Sequence, residues 1–295
     1  MSNLNISRAE RLDQRVVALM PLLSRSFATK LINGGLITVN NVVVTKSGAK
    51  LRPEDVVVIN YTHEEFVIPE IELPVIYEDD DCVVIEKPIG LLTHSKGAFN
   101  PEPSVGTWLH NRITDKDLIE VDEHLPNRRA GIVHRLDRAT SGVMIAAKTT
   151  KSLTWLQKQF AQRKVHKTYY AIVKGHLKQP VAVIDMPVER NPKAPATFRV
   201  GTNGKSAVTK YKVLQESEQY SLVELQPETG RTHQLRVHMA ELGHPIVGDV
   251  LYKGETAERL YLHAGSLEIT IPSRERKVFE VALPATFQEF MSNDQ

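Results

Sequence analysis

Beyond residue 75 the chain is punctuated by apolar runs too brief for helices and too regular for loops. "CVVIEKPIG" (82–90), "GVMIAAKT" (142–149), "TYYAIVKG" (168–175), "YSLVELQP" (220–227) and "VFEVALP" (278–284) are rich in Val, Ile and Tyr and bounded by Gly, Pro or charged residues. Such runs read as strands of a largely buried sheet. Helical periodicity is rarer. "TTKSLTWLQKQFAQRK" (149–164) puts Leu153, Leu156 and Phe160 on one face, and "THQLRVHMAELG" (232–243) aligns Leu235, Met239 and Leu242 before Gly243 stops it. Residues 95–130 are weakly periodic apart from a short helix near "SVGTWLHNRI" and read as a surface excursion. The expectation for residues 75–290 is a mixed α+β domain.

Residues 8–60 have a different rhythm. "RAERLDQRVVALMP" places Leu12, Val16 and Leu19 on one helical face ahead of Pro21, and Ser24 is placed to cap a second helix in which Phe27 and Leu31 share a face before Gly34-Gly35. Two β-branched runs then flank Asn40-Asn41, residues that tolerate the positive φ of a tight hairpin, and "PEDVVVIN" adds a strand. Residues 61–74, acidic and proline-punctuated, read as a linker. The expected division is 8–70, a small α+β unit with its linker, and 75–290.

Composition excludes several classes. No apolar run approaches the length of a membrane span, and "MSNLNISRAERLDQR" lacks the apolar core of a secretory signal. One cysteine, Cys82, excludes an intrachain disulfide framework and a multi-cysteine zinc site, so a cytoplasmic setting is expected. The net charge is only +2, yet basic residues cluster in "RRAGIVHRLDR" (128–138), "KQFAQRKVHK" (158–167) and "GRTHQLRVH" (230–238), and clustering is what nucleic acid reads.

The first cluster holds the chain's most pointed chemistry. In "HRLDRATSG" (134–142) a lone carboxylate, Asp137, stands between Arg135 and Arg138 at a turn between strand-like segments. Flanking strands can display such a group with precision, and a nearby arginine favours its ionised form; an Asp in a Thr/Ser/Gly turn can equally be a turn former. No phosphate-binding Gly loop, nucleophile elbow or His-Glu-x-x-His motif is present, and nothing supplies the second acid of a glycosidase. His233 and His238, five residues apart, are badly spaced to share a metal. A reaction driven by one carboxylate, without metal or bound cofactor, fits the inventory.

Two resemblances sharpen this. The segment from "RLDQ" through "SRSFATKLINGGLITVNNVVVTKSGAKLRPEDVVVI" resembles the S4-type RNA-binding domain, with Asn40-Asn41 and Glu54-Asp55 where that family usually has Asn-Gly and Gly-Asp. "RAGIVHRLDRATSGVMIAAKT" (129–149) resembles the central motif of the RluA-type pseudouridine synthases. "VIYEDDDCVVIEKPIGLLTH" (75–94), "KTYYAIVKG" (167–175) and "ETGRTHQLRVHMAELGHPIVGDVLYKG" (228–254) match three further motifs in family order. The resemblance implies a mixed, mainly antiparallel catalytic sheet and an enzyme that isomerises uridine in RNA without a cofactor. Large-subunit ribosomal RNA is its expected substrate. A tRNA-modifying member of the same branch and a non-catalytic RNA-binding or ribosome-assembly protein are the alternatives, and a monomer is expected.

Residue by residue, the resemblance implies Asp137 as the catalytic aspartate, Arg236 as the cation that keeps it charged (Arg231 as runner-up), and Tyr169 as the active-site aromatic stacking on uracil, its phenol a possible aid at the base's C5. Leu235 would line the pocket, with a place in the core as the equal alternative. His134 and Arg135 would contact RNA, and Arg138 would face it. Arg25, Lys30 and Lys46 would be the RNA-facing residues of the S4-type unit.

Overall fold

In the computed structural model, residues 10–20, 23, 25–61, 69–94, 102–115, 118, 120–122, 125–126 and 131–294 are described. The chain divides into two compact units, residues 1–70 with 95–103 and 120–128, and residues 71–94 with 104–119 and 129–295. In the first, β1 (Glu10–Arg11), α1 (Leu12–Leu19) and α2 (Arg25–Asn33) precede β2 (Ile37–Val39), β3 (Val42–Val43), β4 (Lys50–Leu51) and β5 (Val57–Ile59). β2 lies between β3 and β5, all antiparallel, and β1 pairs with β4. Asn40 and Asn41 both adopt positive φ, 50° and 66°, the backbone that a two-residue turn between twisted strands requires. Leu12, Val16, Leu31, Ile32, Ile37 and Leu51 form the core. Leu19, expected on the buried face, is 52% exposed: it is the last residue of α1, and Leu23 fills the core beyond it. Ser24, the expected cap, lies outside the described residues.

Arg25 is exposed but not uncommitted. Its Nε donates to Asp13 Oδ2 at 2.8 Å beside Arg11, and the two guanidiniums, Arg11 foremost, hold that buried carboxylate down to about 2. Lys30 and Lys46 are exposed.

The second unit is built on nine strands. β6 (Val75–Glu78), β7 (Cys82–Lys87), β10 (Ser141–Ala147), β11 (His166–Lys174), β12 (Val181–Asp185), β15 (Val208–Glu216), β16 (Tyr220–Pro227), β17 (Leu262–Thr270) and β18 (Arg276–Glu280) form one sheet. Its order is β12-β15-β16-β11-β17-β10-β7-β6, with β18 also on β17. Every pairing is antiparallel except β10 with β17. Outside that sheet, β13 (Val188–Arg190) pairs with β14 (Phe198–Val200), while β8 (Glu120–Asp122) and β9 (Leu125–Pro126), which pair with each other, group with the first unit. Among the described residues the second unit's α-helices are α3 (Val105–His110), α4 (Thr150–Ala161), α5 (Gln234–Glu241) and α6 (Ala285–Ser292), with a 3-10 turn at Val250–Tyr252. All five apolar runs are strands of the large sheet, so the α+β expectation holds.

One buried patch gathers Val84, Ile85, Met144 and Leu156 and another Val173, Val223, Leu225 and Met239; Tyr169, on β11, packs against both. Leu235 and Met239 of α5 are buried as expected, whereas Leu242 falls just past the helix end and is 38% exposed.

Gly142 explains the last letter of "HRLDRATSG". It has φ 120°, and a Cβ there would sit 2.2 Å from the carbonyl oxygen of Ala264, its partner in the parallel pairing. Gly142→Ala combines an unfavourable φ with a backbone clash and is expected to destabilise the protein by at least about 2 kcal/mol. Urea unfolding with an unchanged midpoint would refute it.

Candidate active site

The turn carrying Asp137 is clamped on both sides by the "KPIGLLT" segment. On the N-terminal side, the Thr93 hydroxyl donates to the Leu136 carbonyl at 2.7 Å and accepts from the Leu136 N–H at 3.2 Å. On the C-terminal side, the Gly90 N–H donates to the Arg138 carbonyl (2.8 Å) and Arg138 Nε returns a bond to the Gly90 carbonyl (2.9 Å). Lys87 anchors the clamp. Fully buried, its ammonium donates to the carbonyls of Pro88 (2.8 Å), Leu91 (2.9 Å) and Arg138 (3.4 Å). Burial lowers its pKa to about 8, against the opposing pull of the Asp137 charge. Arg138, expected to face RNA, therefore also holds the turn.

Asp137 projects from this clamp towards the N-terminal end of α5. Arg236 Nη1 is 3.4 Å from its Oδ2, while Arg236 Nε and Nη2 form a fork on Asp249, 2.7 Å to each carboxylate oxygen. Arg236 and Asp249 are both buried, and the guanidinium also lies 5.0 Å from the centre of the Tyr252 ring. The fork fixes the plane of the guanidinium, so one nitrogen is left to aim at Asp137. Arg231 does not compete for that place, since its Nε donates to the Ser206 carbonyl at 3.0 Å.

His233 Nε2 approaches the same Oδ2 at 3.6 Å. Its Nδ1 is 2.7 Å from the Tyr252 hydroxyl, and Phe198 and Tyr252 pack edge-to-face against the ring. Burial, opposed by Asp137, is the first cause of its lowered pKa.

These groups border an open pocket of about 500 Å³ whose wall includes Asp137, Tyr169, Lys167, Leu235, Arg231 and Arg135. Burial and the Asp137 charge push the Tyr169 phenol well above its ordinary range, so it stays protonated and its ring offers an apolar face. Leu235 belongs to the core and to the pocket wall alike. Arg135 is exposed. Lys167, which the sequence reading did not single out, donates to the Thr229 carbonyl at 3.4 Å, and burial brings its pKa down to about 8.

His134 is committed to the fold: Nε2 accepts from the Ile145 N–H at 3.1 Å and the ring stacks on Phe160 at 4.7 Å. Burial, assisted by Lys167, lowers its pKa to about 3, and burial likewise lowers His263 to about 4. Both bind a proton more readily unfolded, near pH 6.5. Their stabilising contribution is therefore complete above pH 6.5 and is lost as pH falls towards 4, by at most about 1.4 kcal/mol per pH unit for each group. His134→Gln keeps an acceptor for Ile145 but cannot titrate. Its unfolding free energy should fall less steeply than wild type between pH 6.5 and 4.5, and parallel curves would refute the assignment.

Asp249, Tyr252 and His233 were not anticipated as parts of the site. Asp249 and Tyr252, which lie inside the 228–254 motif and flank or end a short 3-10 turn (Val250–Tyr252), were given no role, and His233 was weighed only as half of a metal pair. Among the described residues no cluster of three or more His, Cys, Asp or Glu is placed to hold a metal ion.

Residues 81–241 match the family described as RNA pseudouridylate synthase, and residues 10–57 match the S4 domain. The chain is 38% identical to an uncharacterized RNA pseudouridine synthase of Aquifex aeolicus, over 96% of this chain and 93% of that one. It is 36% identical to the ribosomal large subunit pseudouridine synthase D of Xylella fastidiosa, over 92% and 85%. Among solved structures, human RNA pseudouridylate synthase domain containing 1 superposes with a TM-score of 0.57 at 27% identity, covering 72% of this chain and 84% of that one.

Proposed function

The chain belongs to the RNA pseudouridylate synthase family, and from that premise we propose that it converts specific uridines of large-subunit ribosomal RNA to pseudouridine with Asp137 as the nucleophilic carboxylate. The observation that carries the reading is the convergence on Asp137: a carboxylate at the wall of an open pocket, held by two clamped backbone neighbours and faced by a guanidinium locked on Asp249. In this reading the ionised carboxylate bonds to the ribose C1′ as the C1′–N1 bond breaks and uracil leaves with that electron pair, and an adjacent fixed cation favours the ionised form. The detached uracil must stay in place while it turns to present C5. Tyr169 supplies a face for stacking that holds the base without fixing its orientation. Its raised pKa favours this role over that of a phenolate base.

Arg135, exposed beside the pocket, suits contact with the phosphate backbone or displacement of the target from its stack, and Arg231 suits phosphate contact. His134 fits a wall of the pocket better than a reach towards RNA, because its acceptor nitrogen is occupied. The S4 unit would recruit RNA through basic side chains such as Lys30 and Lys46, with Arg25 shared between Asp13 and solvent. The relative from Xylella fastidiosa, named for the large ribosomal subunit, favours that target. No helix among the described residues is long and apolar enough to cross a membrane.

The test is chemical mapping of pseudouridine in total RNA from a strain lacking the gene. A large-subunit ribosomal site should vanish and return with the wild-type gene. Loss confined to tRNA would replace the substrate, and loss of no site would overturn the reading.

A further inference from the structure

His233 stands where a helix would normally be capped, yet its side chain caps nothing. Its backbone is left-handed, φ 58° and ψ 18°, a conformation that residues other than Gly adopt uncommonly and that concentrates at functional sites. The consequence of this bend is where it leaves the ring. The imidazole sits between Phe198 and Tyr252, with Nδ1 2.7 Å from the Tyr252 hydroxyl and Nε2 3.6 Å from Asp137 Oδ2.

The Tyr252 hydroxyl already accepts the backbone N–H of Phe198 at 2.9 Å. Its own proton is then free to point at Nδ1, which places the imidazole proton on Nε2, the nitrogen facing Asp137. Arg236 Nη1 approaches the same oxygen at 3.4 Å. Among the described residues no hydrogen bond or ion pair reaches Asp137 Oδ1.

We propose that His233 is a positioning residue for Asp137: its Nε2–H, fixed by Tyr252, joins Arg236 in holding Oδ2 and so leaves Oδ1 as the oxygen presented to the ribose. This deepens the function proposed above and rests on it. Two anchored donors on one oxygen restrict rotation of the carboxylate about its last bond, which a single arginine does not. At 3.6 Å the histidine contact is looser than a hydrogen bond and has room to tighten once substrate excludes water. His233 carries no proton between reactants in this account, so an uncharged donor in the same place can replace it.

The test has two independent arms. In the first, His233→Gln, which carries an N–H near the Nε2 position, is compared with His233→Asn, which reaches only the Nδ1 position, and with His233→Leu. The substrate is ribosomal RNA purified from the gene-deletion strain. Asn and Leu should lose about 10- to 100-fold in kcat with little change in KM, and Gln should recover most of that loss. Equal loss in all three at unchanged melting temperature would make His233 a proton carrier and overturn the proposal, as would losses that follow stability.

In the second arm, nitrogen-15 NMR of the full-length protein at pH 7 should show the His233 proton on Nε2, shifting to a tautomer mixture in Tyr252→Phe. A dominant Nδ1–H form in the wild type would overturn the proposal. This arm needs no turnover. If wild-type protein converts no uridine, the proposed function fails while the hydrogen-bond chain is still judged on its own.

Discussion

Replacing Asp137 with Asn is expected to lower pseudouridine formation by on the order of 10⁴- to 10⁶-fold, the range seen when an enzyme loses its nucleophile, while RNA binding and folding persist. The substitution is isosteric, and the turn that carries Asp137 is held by backbone bonds at residues 136 and 138 rather than by its carboxylate. Arg236 retains its fork on Asp249, so no buried cation is stranded. Transition-state chemistry should therefore suffer alone. Release of tritium from RNA labelled at the uracil C5 measures turnover, because that hydrogen must leave when carbon replaces nitrogen at the ribose. Filter binding and thermal melting measure the rest. A variant that kept more than about 1% of the wild-type rate would deny Asp137 the nucleophile's role, and one that lost RNA binding in parallel would make it a binding residue.

The same variant has a second signature. The Asp137 charge contributes to the raised pKa of Tyr169, so in Asp137→Asn the phenol should titrate at lower pH than in the wild type.

Most of the architecture could be read from the sequence because short, continuous apolar runs bounded by turn residues report strands buried on both faces. "GVMIAA" is β10, buried along its whole length, and Asn40-Asn41 is the hairpin turn its residues favour. The failures lie at helix ends. Leu19 and Leu242 continue a periodic pattern, but the helices finish at Leu19 itself and one residue before Leu242, and both side chains are left partly exposed.

The site divides along similar lines. Asp137 stands out as a lone carboxylate among arginines, and Arg236 followed from the family resemblance. Asp249 and Tyr252 lay inside the 228–254 motif, but nothing local tied them to Asp137, since only the folded chain carries the segment after α5 back onto it. Lys87 was visible inside a motif, but its function as a buried ammonium bracing three carbonyls depends on Arg138, fifty-one residues away.

The Arg236–Asp249 fork yields the largest expected effect on stability. Asp249 is 2% exposed and Arg236 8% exposed, so removing either partner leaves the other as a buried, poorly compensated charge. Asp249→Leu or Arg236→Leu should each cost about 3–5 kcal/mol, roughly 6–20 °C in melting temperature for a domain of this size. The two variants nevertheless differ. Arg236→Leu leaves Asp137 without its guanidinium, whereas Asp249→Leu leaves a guanidinium free to turn both of its terminal nitrogens onto Asp137 and engage the oxygen that substrate needs. Asp249→Leu should therefore lower kcat by misorienting Asp137, whereas Arg236→Leu lowers it by removing the cation that faces Asp137. Arg236→Lys preserves the charge but cannot form the fork, and should behave as Asp249→Leu does in activity.

Replacing both residues with Leu removes the buried charges together and should recover much of the lost melting temperature without recovering turnover, since a buried ion pair is often no more stabilising than apolar residues of like volume. That outcome would assign the pair to the chemistry of Asp137 rather than to the fold. A double variant as unstable as the worse single one would instead make the fork a structural requirement, and calorimetry on the four proteins distinguishes the two.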